Sequence, residues 1–361
     1  MRAHDRKRGL RVDRRWSCSC LPFAILLSSC FGEDARVGSS RLSTVERPPQ
    51  RLLGDSTAFA LPTSMALVGP YLVVLDGMAS SAIQVVDTRT GAIVNRIAPR
   101  GDGPYEVRMP WTMFAEPTDP PRVWTFDLQT RRFTLWNVLA PPSEAVVQQF
   151  QFHGSVAPMS RPLLTTAGTL TTDLSSGNAL VLFDSSGVMP YHHVGYPPFS
   201  PDDYPAGSNA HLTANDFFVA AEAKRRRIAL LYRYAGRVDV YDVDANAVVA
   251  SAATDSFPPP RLEKGVDWAV RYDVHTNGQS ATSRYVYSMF CGCSMQDRAR
   301  GRRARTVRIF DWRGRHVGDV GLDRYVSAIA VSANDSILYG AVQDPFPLIG
   351  EWELPPQQAW Q

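Results

Sequence analysis

The amino-acid sequence predicts an all-β fold, a six-bladed β-propeller of four-stranded antiparallel blades that is closed by an N-terminal strand. Short alternating or β-branched runs, separated by Gly, Pro, Asn and Asp, dominate the 361 residues, and sustained helical periodicity is almost absent. A strand-and-turn pentapeptide recurs six times. The last copy lies so near the C-terminus that its blade needs a strand from elsewhere in the chain.

Each copy of the pentapeptide consists of alternating strand residues, then Val or an aromatic residue, then an acidic or amide residue. The copies are spaced by 50, 47, 58, 69 and 42 residues, which suits one supersecondary unit per copy. They are Ile83–Asp87, Phe133–Asn137, Leu180–Asp184, Val238–Asp242, Val307–Asp311 and Ile349–Glu353.

Most copies have a buried-type strand before them and a turn followed by another strand after them. Leu72–Leu75 precedes the first copy, for example, and Ile93–Ile97 follows it. The segment Asp242–Asn246 resembles the start of a calcium loop but lacks its later Gly and Glu, so we interpret it as a hairpin turn. Each unit is therefore a four-stranded meander, and six meanders suit a propeller. The competing interpretation, a pair of β-sandwiches, does not explain six equivalent hairpins.

The sixth unit is incomplete at its C-terminal side. Eight residues follow Glu353, and two of them, Pro355 and Pro356, cannot donate ladder hydrogen bonds. The segment Gln50–Leu53 precedes the first full unit and is the candidate for the missing outer strand. We therefore predict that residues 49–361 form the propeller domain.

The N-terminal segment has the pattern of an export signal. Seven basic residues precede the short apolar run Leu21–Leu27, and Leu27-Ser28-Ser29-Cys30 follows the lipobox pattern, in which the Cys is acylated. We predict a lipoprotein-type signal peptide at residues 1–29, lipidation at Cys30 and a linker at residues 30–48. A plain secretory peptide is the alternative. Either form predicts export, and the lipoprotein form predicts anchoring to a bacterial envelope membrane.

Composition and charge exclude several classes of protein. With 44% hydrophobic and 20% charged residues, the chain is globular rather than disordered, and no apolar run is long enough for a membrane span. The chain has 38 basic and 35 acidic residues, but without residues 1–29 the numbers are 31 and 33. The basic excess therefore belongs to the signal segment, and we expect no nucleic-acid partner.

Two cysteines remain in the propeller region, Cys291 and Cys293, since Cys18 and Cys20 leave with the signal. The pair leaves three alternatives open: a disulfide, two unpaired thiols, or part of a metal site for which the sequence offers no second pair of ligands. We predict no metal site and no cofactor.

An arginine-rich segment follows this pair, between Tyr287 and Val307. We expect it to be a loop whose guanidinium groups repel one another and project into water. It is either a flexible solvated insertion or an anion-binding patch, because Arg presents a planar fork to phosphate and carboxylate groups. Its members are Arg298, Arg300, Arg302, Arg303 and Arg305.

The sequence resembles the bacterial TolB-like six-bladed propeller family, whose members are often lipoproteins. The resemblance lies in Arg284–Tyr287, in Val307–Gly314 and its continuation to Leu354, and in the Gly-rich segment Arg100–Pro104 followed by Glu106. Tyr105 stands where the family usually has Gly. The resemblance implies a propeller and an exported location, and it implies no catalytic residues.

Two hypotheses about function follow. The first is a monomeric binding or scaffold protein that holds an envelope protein, peptide or glycan. The second is a hydrolase or lyase with a site in the central channel, possibly dependent on calcium. No catalytic motif such as H-E-x-x-H, G-x-S-x-G or a P-loop occurs, so we favour the binding protein and name no catalytic residue.

Overall fold

The structure, a computed structural model, describes the chain from residue 46 to residue 356 with several gaps. The described ranges are 46–54, 57–154, 161–173, 178–184, 190–195, 215–222, 224–253, 261–263, 266–269, 272–343 and 346–356. Cys30, the signal peptide at residues 1–29 and nearly all of the linker at residues 30–48 lie outside them, so these predictions remain predictions. No helix within these ranges is both long and apolar enough to cross a membrane.

Six four-stranded antiparallel sheets make up the fold, and all but one are built from four consecutive strands. The first three blades span residues 62–195. Their strands are β2 (Pro62–Val68), β3 (Tyr71–Asp76), β4 (Ser81–Asp87) and β5 (Ile93–Pro99); β6 (Pro110–Glu116), β7 (Arg122–Asp127), β8 (Arg132–Asn137) and β9 (Val146–Gln151); and β10 (Leu163–Thr165), β11 (Gly168–Asp173), β12 (Asn178–Phe183) and β13 (Pro190–Gly195).

The other three blades follow the same order, and the last of them takes its outer strand from the N-terminal side. Their strands are β14 (Phe217–Ala221), β15 (Arg227–Tyr232), β16 (Arg237–Asp242) and β17 (Ala247–Ala253); β20 (Tyr272–Ala281), β21 (Tyr285–Ser294), β22 (Thr306–Asp311) and β23 (His316–Gly321); and β24 (Val326–Val331), β25 (Ile337–Val342), β26 (Leu348–Glu353) and β1 (Arg51–Leu53).

Within the described ranges, three short elements lie outside the blades. They are the hairpin of β18 (Arg261–Glu263) and β19 (Val266–Ala269), the 3-10 turn Pro142–Glu144, and helix α1 (Met295–Ala299).

The six pentapeptides fall on the third strand of the six blades, as the sequence predicts. The second and third strands are buried on both faces because they lie between neighbouring sheets, whereas the outer strands alternate. In β3, for example, the five residues from Leu72 to Asp76 are all buried, but exposed and half-buried residues alternate from Val249 to Ala253 in β17. Propeller closure is confirmed as well. Arg51 pairs with Glu351, and Leu53 pairs with Ile349.

Contacts with the sixth blade begin upstream of β1, within the predicted linker. The backbone of Arg47 forms a parallel bridge to Leu322, and its carbonyl accepts a hydrogen bond from the Trp352 indole Nε1 at 2.9 Å. A side-chain hydrogen bond and backbone pairing therefore fix this segment on the propeller.

The Gly-rich segment after the first blade is a closed loop. Glu106 accepts a hydrogen bond from the Gly103 amide at 2.7 Å, and its carboxylate occupies the space that a Cβ at Gly101 would fill. Arg100 donates to the carbonyls of Asp76 and Arg108 at 2.8 Å each. The exposed Tyr105 lies at the tip without disturbing these bonds.

The fifth blade differs from the sequence prediction. We expected the loop to begin after Tyr287, but β21 continues through Ser294 and leads into α1. The reason is its partner: β20 is ten residues long and keeps pairing β21 as far as Tyr272 opposite Ser294. Cys291 and Cys293 therefore lie inside a strand rather than after one.

A buried carboxylate joins the fifth and sixth blades. Asp335, in the turn between β24 and β25, accepts hydrogen bonds from Thr282 Oγ1 at 2.6 Å and Tyr287 Oη at 2.8 Å. Its second oxygen lies 2.8 Å from Arg284 Nε, and its side chain is 0% exposed. Burial and this carboxylate raise the pKa of Tyr287, which keeps the phenol protonated as a donor.

A second buried group of the fifth blade should make stability depend on pH. His275 on β20 is fully buried, with Nδ1 3.0 Å from Ser288 Oγ, and burial followed by the charge of Arg308 lowers its pKa to about 3. The unfolded chain has the ordinary pKa of 6.5 and binds the proton first, so stability is lost as the pH falls below 6.5. Between pH 6.5 and 4.5 we expect a loss of about 2 kcal/mol from this residue.

Urea denaturation across this pH range measures the effect. His275→Gln removes the titrating group and should flatten the pH dependence by that amount, whatever its cost at neutral pH. Equal slopes for the wild-type protein and the variant would contradict the prediction.

Candidate functional site

The blades are arranged around a central channel. Its volume is about 940 Å³, and the inner strands of the blades line it: β2, β6, β10, β14, β20 and β24. Its lining includes the apolar residues Met65, Met113 and Phe114 beside small residues such as Ala328 and Gly278. A cavity of this size and character is typical of sites that hold a small molecule or a chain end.

The meander determines which loops surround each end of the channel. We call the end where the inner strands begin the front face, and the end where they finish the back face. In each antiparallel blade, the loop between the second and third strands lies at the front face, together with the connection to the next blade. The turn after the first strand and the turn after the third strand lie at the back face.

At the front face, Arg161 lies just before β10 and lines the channel. Its guanidinium carbon is 4.4 Å from the centre of the Phe218 ring, and its Nη1 donates to Asn277 Oδ1 at 3.3 Å. The Asn277 Nδ2 donates to the carbonyls of Thr63 and Ser327 at 3.2 Å each, which ties the fifth, sixth and first blades together beside the arginine.

Two acidic and two further basic side chains surround Arg161 at this face. Arg233 lies 3.3 Å from Asp216 and 3.6 Å from Asp273, and Arg298 lies 2.9 Å from the other oxygen of Asp273. Burial lowers the pKa of Arg161 to about 10 and raises the pKa of both Asp216 and Asp273. These shifts follow from desolvation, which penalises every charged form in the cluster.

At the back face, Arg225 reaches across the channel from the turn after β14. Its Nη2 lies 2.6 Å from Glu116 Oε2, which also accepts a hydrogen bond from the Trp124 indole at 3.0 Å. The guanidinium carbon is 5.2 Å from the centre of the Phe114 ring. One arginine and one glutamate balance each other here, whereas three arginines lie with two aspartates in the described front-face cluster.

The predicted arginine-rich loop also lies at the front face, between β21 and β22. Arg298 departs from the expectation that all five arginines project into water, because it is half-buried and paired with Asp273. The other four are exposed. Asp297 lies 3.8 Å from Arg300 and 3.9 Å from Arg302, and Arg303 Nη1 donates to the carbonyls of Arg298 and Arg302. The loop thus joins the channel cluster through one arginine and presents the rest, including Arg305, to solvent.

Cys291 and Cys293 are bonded as a disulfide in the structure, with their Cα atoms 5.0 Å apart. Gly292 between them has φ of +53°, a conformation that suits Gly. Of the three alternatives open in the sequence, the disulfide is the one adopted, and it lies directly upstream of α1 and the arginine loop.

Within the described ranges, no three His, Cys, Asp or Glu residues converge as a metal site would require. The hypothesis of a calcium-dependent hydrolase or lyase in the channel therefore stays a prediction. The described front face provides guanidinium, amide and aromatic groups, which can bind an anion.

Sequence reasoning missed Arg161, Asp216, Arg233, Asp273 and Asn277. They come from the third, fourth and fifth blades, and 116 residues separate Arg161 from Asn277. For two of them the signal is position: Asp216 directly precedes the inner strand β14, and Arg161 lies just before the inner strand β10. The bounds of the inner strands were not predicted from the sequence, so this signal could not be used.

Comparisons with family models and with curated proteins find no match. The resemblance to the TolB-like family therefore stays a prediction. Among solved structures, U3-55K is similar with a TM-score of 0.45 and 10% identity over 81% of this chain and 80% of that chain. Raptor from Chaetomium thermophilum has a TM-score of 0.49 and 10% identity over 84% of this chain, but over only 29% of that chain. Likeness at this level says nothing about function, and the fold assignment here depends on the pairing of the strands.

Proposed function

We propose that this protein is an exported, lipid-anchored β-propeller that binds an envelope protein, peptide or glycan through its front face. Cys30 would carry the lipid, and the propeller would act as a monomer. Propellers host both enzymes and binding proteins, so the fold alone does not choose between them. The choice depends on the side chains of the front face.

One observation carries the proposal. Four exposed arginines, Arg300, Arg302, Arg303 and Arg305, adjoin a desolvated cluster in which three arginines face two aspartates. Because the arginine fork binds planar anionic groups in a bidentate manner, this arrangement favours partners that carry carboxylate, phosphate or sulfate groups. Such a surface also steers anionic partners towards the channel mouth.

Binding of purified native envelope fraction to the immobilised full-length protein tests this proposal. Combined substitution of the four exposed arginines by Gln should weaken salt-sensitive binding by about tenfold or more, because four attractive charges are lost. The same fractionation should find the wild-type protein with membranes and Cys30→Ala in the soluble fraction or unprocessed.

The chain offers a matched control at the back face. Arg89, Arg226, Arg313 and Arg315 are equally exposed arginines in turns at that end. Their combined substitution by Gln changes net charge by the same amount and should leave binding within about twofold, since exposed ion pairs contribute little. Equal losses in both variants would mean that binding reflects net charge alone and would contradict the proposal.

A further inference from the structure

Among the described residues, the front-face cluster contains more positive than negative charge. Three guanidinium groups, those of Arg161, Arg233 and Arg298, lie with two carboxylates, those of Asp216 and Asp273. The carboxylates contact Arg233 and Arg298 directly, which leaves Arg161 as the cation without an ion pair within 4 Å among the described residues. A desolvated cation of this kind is stabilised by an anion that reaches it.

Arg161 is held in place while most of its donors stay available. Phe218 supports one face of the guanidinium, and Asn277, itself bonded to two other blades, fixes one edge. A guanidinium has five N–H donors, and in the described part of the chain only Nη1 has a hydrogen-bond partner, Asn277. A pre-organised fork with unoccupied donors is suited to a carboxylate or phosphate group.

Beyond Arg161 the channel lining is more apolar than polar. Met65, Met113 and Phe114 line it together with small residues, Ala66 and Ala328 among them, and with polar residues such as Thr112 and Gln279. Met side chains adapt to varied apolar shapes. At the far end, Arg225 is already paired with Glu116, so the positive charge there is balanced.

We infer that the channel binds an amphiphile with an anionic head group on Arg161 and an apolar tail beside Met65, Met113 and Phe114. The inference rests on the proposed binding function and names the chemical class that the channel itself takes. The head group is a carboxylate or a phosphate, since both fit the arginine fork. Burial, which lowers the pKa of Arg161, supports the inference because a bound anion would reverse that penalty.

Isothermal titration calorimetry with four ligands tests the inference. Decanoate and decyl phosphate carry the expected head groups and distinguish the two sources of anion, 1-decanol lacks the charge, and acetate lacks the tail. We expect at least one of the two anionic ligands to bind at least about tenfold more tightly than 1-decanol. A difference of this size is what one contact between the guanidinium and the anion contributes. It should also bind at least about tenfold more tightly than acetate, because methylene burial adds affinity.

Two variants assign the head group to one end of the channel. Arg161→Gln should weaken binding of the favoured ligand at least about tenfold. Arg161→Lys keeps the charge but loses the fork, so its affinity should lie between those of Arg161→Gln and the wild-type protein. The matched control Arg225→Gln, at the back face, should stay within about twofold of wild type. Thermal melting curves establish that each variant is folded before its affinity is compared, and the Lys variant provides the measurement if Gln prevents folding.

Three results would overturn the inference: no binding of either anionic ligand, equal binding of 1-decanol, or a loss in Arg225→Gln as large as that in Arg161→Gln. The variant lacking the four exposed loop arginines should retain the affinity for the favoured ligand. Failure of the proposed function, which is measured with that variant on envelope material, is therefore distinguishable from failure of this inference.

Discussion

Deletion of residues 1–54 should produce a propeller that aggregates and unfolds at much lower urea concentration than the full chain. The deletion removes β1, which completes the sixth blade beside β26. It exposes the unpaired edge of β26 and removes Leu53, which is 1% exposed in the core between the sixth and first blades. Loss of one buried leucine costs about 2–5 kcal/mol, and open strand edges promote aggregation. We expect the free energy of unfolding to fall by about 4 kcal/mol or more.

Deletion of residues 1–45 is the matched control, because it keeps Arg47 and β1. It should leave the urea midpoint and the monomer peak in gel filtration close to those of the full chain. A synthetic peptide of residues 46–54 added to the longer deletion should restore part of the lost stability. Identical midpoints for the two deletions would show that β1 does not hold the ring closed.

Replacement of Asp335 should have the second largest effect. Asp335→Ala leaves the buried donors Thr282 and Tyr287 and the cation Arg284 without their shared acceptor. Removing one partner from such a buried network costs about 3 kcal/mol. Asp335 has φ of +58°, a backbone conformation that Asn tolerates better than Ala. Asp335→Asn should therefore lose less stability than Asp335→Ala, and the comparison separates the effect of the lost charge from the effect of the backbone conformation.

Asp244→Ala is a suitable control for this experiment. Asp244 pairs with Arg226 at the surface, and its side chain is 48% exposed. An exposed pair of this kind contributes less than about 1 kcal/mol, so urea denaturation should detect little change. A loss in Asp335→Ala no larger than that in Asp244→Ala would contradict a structural role for the buried carboxylate.

The blades could be predicted from the sequence because each hairpin has a local pattern of alternating strand residues followed by turn residues. In Val238–Asp242, alternation and the terminal Asp are enough to place a strand and its turn, and the structure confirms them. The inner part of the third blade was harder to predict from the sequence. The Thr-rich strand β11 buries Thr169 and Thr171 without a hydrophobic pattern and contains a register shift, so its sequence did not stand out.

The channel site could not be predicted in the same way. Arg161, Asp216 and Asp273 come together because the third, fourth and fifth blades pack side by side, and no local spacing in the sequence indicates that packing. The arginine loop was visible as a cluster, but the pairing of Arg298 with Asp273 depends on the length of β20, which extends further than the apolar pattern indicates. Sequence patterns identify strands, and contacts between blades require the assembled ring.

Closure by β1 also fixes an order of events during biosynthesis. Arg51 is made early, yet the residue that it pairs with, Glu351, follows 300 positions later. At roughly 5–20 residues per second, the ribosome needs about 15–60 s to supply that partner. For this interval the first strand has no sheet to join, and blades one to five must form around an open gap. The ring is therefore completed only after nearly the whole polypeptide has been synthesised. Its first strand, β1, and its last strand, β26, are the last to pair.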